Sequence, residues 1–527
     1  MVLPPVEGRP YKTRSRAAER GVMSVKQITV YEAAGQCIRK EQGLKCGLEK
    51  DEPTHLESGV INLYPGIEYQ TIEGFGGAMT ESSAYMLMQL DEAKRTEVLK
   101  MLFGPDGHRL KYIRTCIDSC DFCLDEYQAV GNPLKDPDFT TFTIDRDRKY
   151  IIPMIKAAMK AAAQPLQVLL SPWSPPKQWK TPPARIKNDM SIYSPDFQDK
   201  IDYDHAGRCH GGSLKPEYYG QWAKYIAKYV QAYLDEGVPV GMVTIQNESI
   251  AAVPWDSCIW TAEEQKTFLR DYLYPEFVKA GLSDKIPIYF WDHNKERVLE
   301  WTEVFMDETT RPMIGGAAFH WYSGDHFEDV AMVHEKYPEL NLMLSEFCCG
   351  MDDEEIPVFM QHTFETKDNK NLRDAQSYAH EIIGDMNAGT NRFIDWNFCL
   401  DKTGRPRHTA GGCNAGIIID GGDYTTNAIY DYYDLFSHYI LPGAKRIGLS
   451  RRDEKVEAAA VKNPDGSVVV ELLNRGETDA RYAFRVNGNI VRFEVPRDTL
   501  SAILLTAGQL LTTLKGRSLR LAPEVLT

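Results

Sequence analysis

The stretch Gly241-Met242-Val243-Thr244-Ile245-Gln246-Asn247-Glu248 is an apolar, β-branched run that stops at two polar side chains, an amide and a carboxylate. A run apolar on both faces is what a buried parallel strand requires, and its polar end then reaches the rim of the sheet. Residues 340–346, Leu-Asn-Leu-Met-Leu-Ser-Glu, have the same form, so Glu248 and Glu346 read as one catalytic pair. Further strand-like runs lie at 71–76, 112–116, 166–171, 286–292, 315–321 and 392–397, each separated by amphipathic helical sequence. Together they make eight strand–helix units, which specify an α/β fold, a (β/α)8 TIM barrel whose chemistry sits at the C-terminal strand ends.

Helix signals support that division. Thr261-Ala-Glu-Glu264 is a capping box, and Pro216 opens a helix in which Tyr218, Trp222, Tyr225, Ile226 and Tyr229 follow helical spacing as a core-packing stripe. Both ends of the chain are instead β-rich. Residues 27–33, 59–70 and several runs within 451–507 alternate in period two, with Pro-Asp-Gly and Asn-Gly turns between the later ones, and 37–56 reads as a loop. The expected organisation is a disordered tail at 1–25, N-terminal strands of a β-sandwich at 26–70, the barrel at 71–445 and the C-terminal β-sandwich at 446–527.

Composition bounds the partners. A formal net charge of −15 over 527 residues argues against nucleic acid or an anionic membrane surface. No run approaches the roughly 20 apolar residues of a membrane span, and the basic N-terminal 21 residues have no apolar core of a secretion signal. Eleven cysteines, an odd number dispersed through a large chain, fit reduced thiols and a cytoplasmic location better than a disulfide scaffold. Cys116, Cys120 and Cys123 read as buried small hydrophobes rather than metal ligands, and His205, Cys209 and His210 as part of a solvated loop. No metal or other cofactor is expected.

Two carboxylates facing each other across a barrel mouth are the minimum machinery for cleaving a glycosidic bond with retention. Arg114, inside an otherwise apolar strand, needs a carboxylate partner, and Glu346 is the candidate. The strand ends also carry Asp121, Trp173, Trp179, His320, Trp321, Tyr322, Trp396 and Asn397. Aromatic faces with amide and carboxylate groups suit the apolar faces and hydroxyl rim of a sugar.

These residues fall in motifs that resemble glycoside hydrolase family 30, particularly its glucosylceramidase-like members: Gly74-Phe-Gly-Gly-Ala-Met-Thr80, Ser119-Cys-Asp-Phe122, Ser171-Pro-Trp-Ser-Pro175, Asn247-Glu248, His320-Trp-Tyr322, Ser345-Glu346 and Asp395-Trp-Asn397. The resemblance spans about 60 to 506 and implies a barrel with a β-sandwich made from both chain ends. It further implies Glu248 as acid/base and Glu346 as nucleophile. Asn247 would bind the sugar 2-hydroxyl, Asp121, Trp173 and Trp396 would bind the remaining hydroxyls, and Arg114, His320 and Tyr322 would support the nucleophile. Asn414 matches a further sugar-contacting position. Two departures stand out: Ser249 replaces the family's usual proline, and the segment 181–214 is longer than the glucosylceramidase pattern, which favours a walled, exo-acting pocket.

The sequence therefore predicts a retaining exo-acting β-glycosidase acting on terminal β-D-glucosides or oligosaccharides. Within the family a β-xylosidase, β-fucosidase, β-glucuronidase or endo-β-1,6-glucanase is the alternative, and outside it a non-catalytic carbohydrate-binding protein on the same scaffold. Asp121 as a carboxylate speaks against a uronic acid. Oligomeric state has no signal in the sequence.

Overall fold

The computed structural model describes residues 23–33, 36–43, 49–52, 59–184, 201–351, 369–451 and 455–507. Eight parallel strands close into a barrel: β1 (Gly74–Ala78), β2 (Tyr112–Ile117), β3 (Gln167–Pro172), β4 (Val240–Thr244), β5 (Ile288–Asn294), β6 (Gly316–His320), β7 (Asn341–Glu346) and β8 (Arg392–Asn397). Each predicted strand is present, shifted by a few residues at its ends. At β1 the start moves from 71 to 74, because residues 71 and 72 belong to a long sandwich strand, Val60–Ile72.

The glycines of β1 have a packing reason. A Cβ on Gly76 would stand 2.4 Å from the carbonyl oxygen of Tyr112, so the first two strands approach only because none is there. Side chains pointing inward fill the barrel floor as one apolar layer: Tyr112, Leu169, Met242, Tyr289, Ala318, Met343 and Ile394. Alternation along a strand then dictates what comes two residues later. That next layer holds Arg114, Ser171, Thr244, His320, Ser345 and Trp396, all buried and mostly polar. The barrel is thus plugged below and polar above.

Ten strands form the second unit, in the order 36–43, 23–33, 499–507, 468–474, 457–462, 444–451, 60–72, 480–486, 489–495 and 49–50. Residues from both ends of that order, including Val25, Ile61, Val470, Phe484 and Ile503, share one apolar cluster, so the sheet folds over on itself as a sandwich. Strand Val468–Asn474 is buried on both faces. Val468, Val470 and Leu472 fill the sandwich, whereas Val469 and Leu473 join the principal core of the barrel and its helices.

Several expectations need correction. The span 37–56 was read as a loop, but Gln36–Gly43 pairs with Met23–Ala33, and Glu49–Lys50 pairs with Asn489–Ile490. Arg39, Lys40, Glu41, Glu49 and Lys50 misled because they lie on exposed positions of the two edge strands. The barrel-to-sandwich boundary comes slightly early, since strand Ala444–Arg451 already belongs to the sandwich. The tail reading of 1–25 ends three residues too late, with a strand starting at Met23, and its remainder lies outside the described residues. The capping box at Thr261 and Glu264 is present, and the Pro216 turn leads into helix Tyr219–Asp235. Among the described residues no helix is long and apolar enough to cross a membrane.

Candidate active site

Glu248 follows β4 and Glu346 ends β7. One carboxylate oxygen of each, with a nitrogen of His320, lies within a group no wider than 4.8 Å. Their buried surroundings differ. Glu346 accepts from the Arg114 guanidinium and, at 2.9 Å, from the Tyr322 hydroxyl. Glu248 has His320 Nδ1 at 3.5 Å.

Arg114 is the hub. Its Nη2 donates to Asn247 Oδ1 at 2.8 Å and to Asp292 Oδ2 at 2.9 Å, and its Nε to Ser171 Oγ at 3.2 Å. Trp173 and Trp396 stack with centroids 5.4 Å apart, and the guanidinium lies 4.8 and 5.5 Å from their ring centroids. The predicted partnership of Arg114 with Glu346 is present, but Asp292 shares it, a residue the sequence reading left out. Its signal was visible: it is an acid at the end of the expected fifth strand.

Asp292 also accepts from Ser345 Oγ at 2.6 Å and lies 3.1 Å from His320 Nε2. Burial opposes its charge, but Arg114, His320 and Ser345 outweigh that and hold the carboxyl well below the usual range. Burial alone would lower the His320 imidazolium; Glu346, Asp292 and Glu248 around it push it up to about 9. His320 therefore stands between Glu248 and Asp292, and its charge also favours the ionised form of Glu346 without a hydrogen bond to it. At neutral pH the cluster holds two cations, Arg114 and His320, against Asp292 and the pair. It balances when the two glutamates share one proton. Burial and the charge of Glu248 push Glu346 up, while burial of Glu248 is overcome by His320 and His293, which hold it down.

The backbone at this rim is unusual. Glu248, Trp291 and Asp292 have φ of 49°, 72° and 51°, left-handed values that non-glycine residues seldom adopt. The Glu248 N–H donates to the Asp292 carbonyl at 2.7 Å, tying the two strand ends together. Ser249, the departure from proline, is an anchor: its hydroxyl donates to the Trp291 carbonyl at 2.7 Å and accepts from Gln265 at 2.9 Å.

Asp121 stands against Arg407 Nη2 at 2.8 Å, and that guanidinium lies about equally close to the Phe122 and Trp255 rings, at 4.9 and 5.0 Å. Burial pushes the Asp121 carboxyl up to about 7 despite Arg407. The argument that Asp121 repels an acidic sugar therefore loses force, since its charge is compensated. Sequence gave no warning of Arg407, which arrives from an irregular loop after β8. The neighbouring His408 lies 3.1 Å from Asp256, which in turn binds Arg208 at 2.7 Å and joins that loop to the base of the long segment. Within this segment 185–200 lies outside the described residues.

The remaining sequence candidates have other partners. Asn414 donates to Asp374 Oδ2 and accepts from Asn427 Nδ2, both at 2.9 Å. Trp179 packs on Tyr218, Trp321 on Phe347 and Tyr378, and the Asn397 side-chain oxygen accepts from the Thr80 and Ser83 hydroxyls. These are structural. In the segment read as a solvated loop, His205 is exposed beside Asp202, whereas Cys209 is half-buried and groups with Asp256 and His408. Cys116, Cys120 and Cys123 are buried as expected, but their sulfurs form one cluster within 4.8 Å.

A plugged barrel with two buried carboxylates at its C-terminal rim defines a glycosidase site. The sequence profile of the glycosyl hydrolase family 30 TIM-barrel domain matches residues 72–440, and that of the family's β-sandwich domain matches 443–502. The chain belongs to glycoside hydrolase family 30. It is 28% identical to the lysosomal acid glucosylceramidase of Mus musculus over 440 residues, covering 80% of this chain and 78% of the relative. An endo-1,6-beta-D-glucanase of Aspergillus fumigatus is 24% identical over 417 residues, 77% of this chain and 78% of its own. Among solved structures, SrfJ from Salmonella typhimurium superposes with a TM-score of 0.79 at 28% identity, covering 91% of this chain and 99% of its own. The endo-beta1,6-glucanase BT3312 shares the fold, with a TM-score of 0.73 at 24% identity over 93% of this chain and 100% of its own.

Proposed function

We propose that this glycosidase is a retaining, exo-acting enzyme that releases terminal β-D-glucose by double displacement. The observation that carries the reading is the close approach of the two carboxylates, no more than 4.8 Å between oxygens. Retention calls for carboxyl groups roughly 5–5.5 Å apart, whereas inversion leaves room for a water at about 6.5–9.5 Å.

Glu346 is the nucleophile. Arg114 and Tyr322 aim its carboxylate, and these donors favour its charge when the shared proton resides on Glu248. Glu248 gives that proton to the departing oxygen as Glu346 attacks the anomeric carbon. It then removes a proton from the water that cleaves the glycosyl-enzyme. The Asn247 carbonyl is held by Arg114, which leaves its NH2 for the sugar 2-hydroxyl. Asp121, Trp173 and Trp396 bind the far side of the glycone. Arg407, Trp255 and the His408–Asp256 link wall that side and support exo action.

A panel of aryl β-glycosides differing only in the sugar tests the glycone: β-glucoside is expected to give the highest kcat/KM. Higher values for β-xyloside, β-fucoside or β-glucuronide would overturn it, and faster cleavage of linear β-1,6-glucan than of its disaccharide would overturn exo action. Glu346→Ala is expected to abolish turnover. Glu248→Ala should retain activity on activated aryl glycosides and yield a β-glycosyl azide with azide; near-normal turnover by Glu346→Ala would refute the assignment.

A further inference from the structure

The rim next to Glu346 carries a feature that hydrolysis does not use. The segment after β7 and the loop after β8 meet in a two-strand ladder, with Cys349 opposite Asn414 and Gly350 opposite Cys413. Across it the Cys348 and Cys413 sulfurs stand 2.9 Å apart, and both residues are half-buried. That is inside the contact distance of two non-bonded sulfurs, and a shift of under about 1 Å reaches the S–S bond length of about 2.05 Å. Cys348 Sγ is also 3.4 Å from the Tyr322 hydroxyl, the group that donates to Glu346. Contact with Cys413, and then burial, push the Cys348 thiol well above its usual range.

We propose that Cys348 and Cys413 are a reversible redox-modification site, oxidised to a disulfide by a peroxide and returned by a small dithiol, and that the bond disturbs the Tyr322 support of Glu346. The step balances. One thiol sulfur attacks a peroxide oxygen, the O–O bond breaks, and a sulfenic acid and water result; the second sulfur then displaces the hydroxyl as another water. Two thiols lose two electrons and two protons, and hydrogen peroxide becomes two waters. Reduction by dithiothreitol reverses it through a mixed disulfide. Because Cys348 lies two residues from Glu346, closing the sulfur gap shifts the segment that follows the nucleophile. Misplacement of that order can cost about 100-fold in rate.

The second half of this proposal rests on Glu346 as nucleophile; the first half does not. Full-length reduced enzyme is treated with a small excess of hydrogen peroxide, blocked with iodoacetamide, digested without reductant and weighed. The expected result is a peptide joining Cys348 to Cys413, lighter by two hydrogens, with kcat/KM on an aryl β-glucoside down at least about tenfold. Dithiothreitol should reverse both changes, and Cys413→Ala should keep its activity through the treatment. Alkylation of both cysteines after oxidation, or pairing of Cys348 with Cys349 instead, would overturn the site. A Cys348–Cys413 crosslink with unchanged kcat/KM would overturn the coupling, and because the mass readout is independent of catalysis, a wrong nucleophile assignment would not disguise either result.

Discussion

Arg114 shows how much one residue can say. An arginine in a strand of otherwise apolar residues demanded an anion, and Glu346 answered that demand; what stayed hidden was that a second acid, Asp292, shares the guanidinium from across the barrel. Proximity between β2 and β5 is a product of closure and leaves no mark in local sequence. The three-way contact of Asp292 with Arg114, His320 and Ser345 predicts the behaviour of its amide variant. Asp292→Asn removes an anion beside a histidine held at about 9, so the His320 midpoint, followed by imidazole proton NMR, is expected to move to lower pH. Breaking a buried pair of this kind costs about 3–5 kcal/mol, so melting temperature should fall as well. An unchanged His320 midpoint would refute Asp292 as its counter-ion.

At the scale of elements, strand identity was readable from composition, but loop geometry was not. All eight barrel strands stood out as apolar runs with polar ends, whereas the charged segment 37–56 concealed two short strands because edge strands carry their charge outward. Aromatic rims were over-read for the same reason: Trp179 and Trp321 follow strand ends yet turn into the helix layer. Ser249 is the clearest case of sequence marking a question that only structure answers. Where a proline would stiffen the turn, the serine hydroxyl fastens Glu248 to the end of β5 and to helix Ala262–Phe268 through Gln265. Ser249→Ala strands a buried carbonyl and an amide, a loss of about 1–3 kcal/mol. Thermal denaturation should register that loss, with a lower kcat and little change in KM as Glu248 drifts. A variant with wild-type melting and kcat would show the anchor to be dispensable.

Over the whole molecule, barrel and sandwich share a core through Val469 and Leu473, and three histidines, one buried and two half-buried, contribute to the pH response of the fold. Burial lowers each of them, yet His320, His380 and His408 are pushed up to about 9, 9 and 10 by the acids they face: Glu346 and Asp292 for the first, Asp325 and Glu457 for the second, Asp256 for the third. Since a histidine titrates near 6.5 when unfolded, these raised values give stability that is complete below about pH 6.5 and is lost as pH rises through 9 to 10. Melting temperature is expected to decline from pH 6.5 to 9.5, and to decline less in His408→Gln; a flat or rising curve would contradict the charge assignments. The central claim concerns the carboxylate pair, and stereochemistry tests it most directly. Proton NMR of the first sugar released from an aryl β-glucoside is predicted to show the β-anomer before mutarotation, whereas initial α-anomer would mean inversion and would contradict a mechanism in which Glu346 attacks and Glu248 serves as acid and then base.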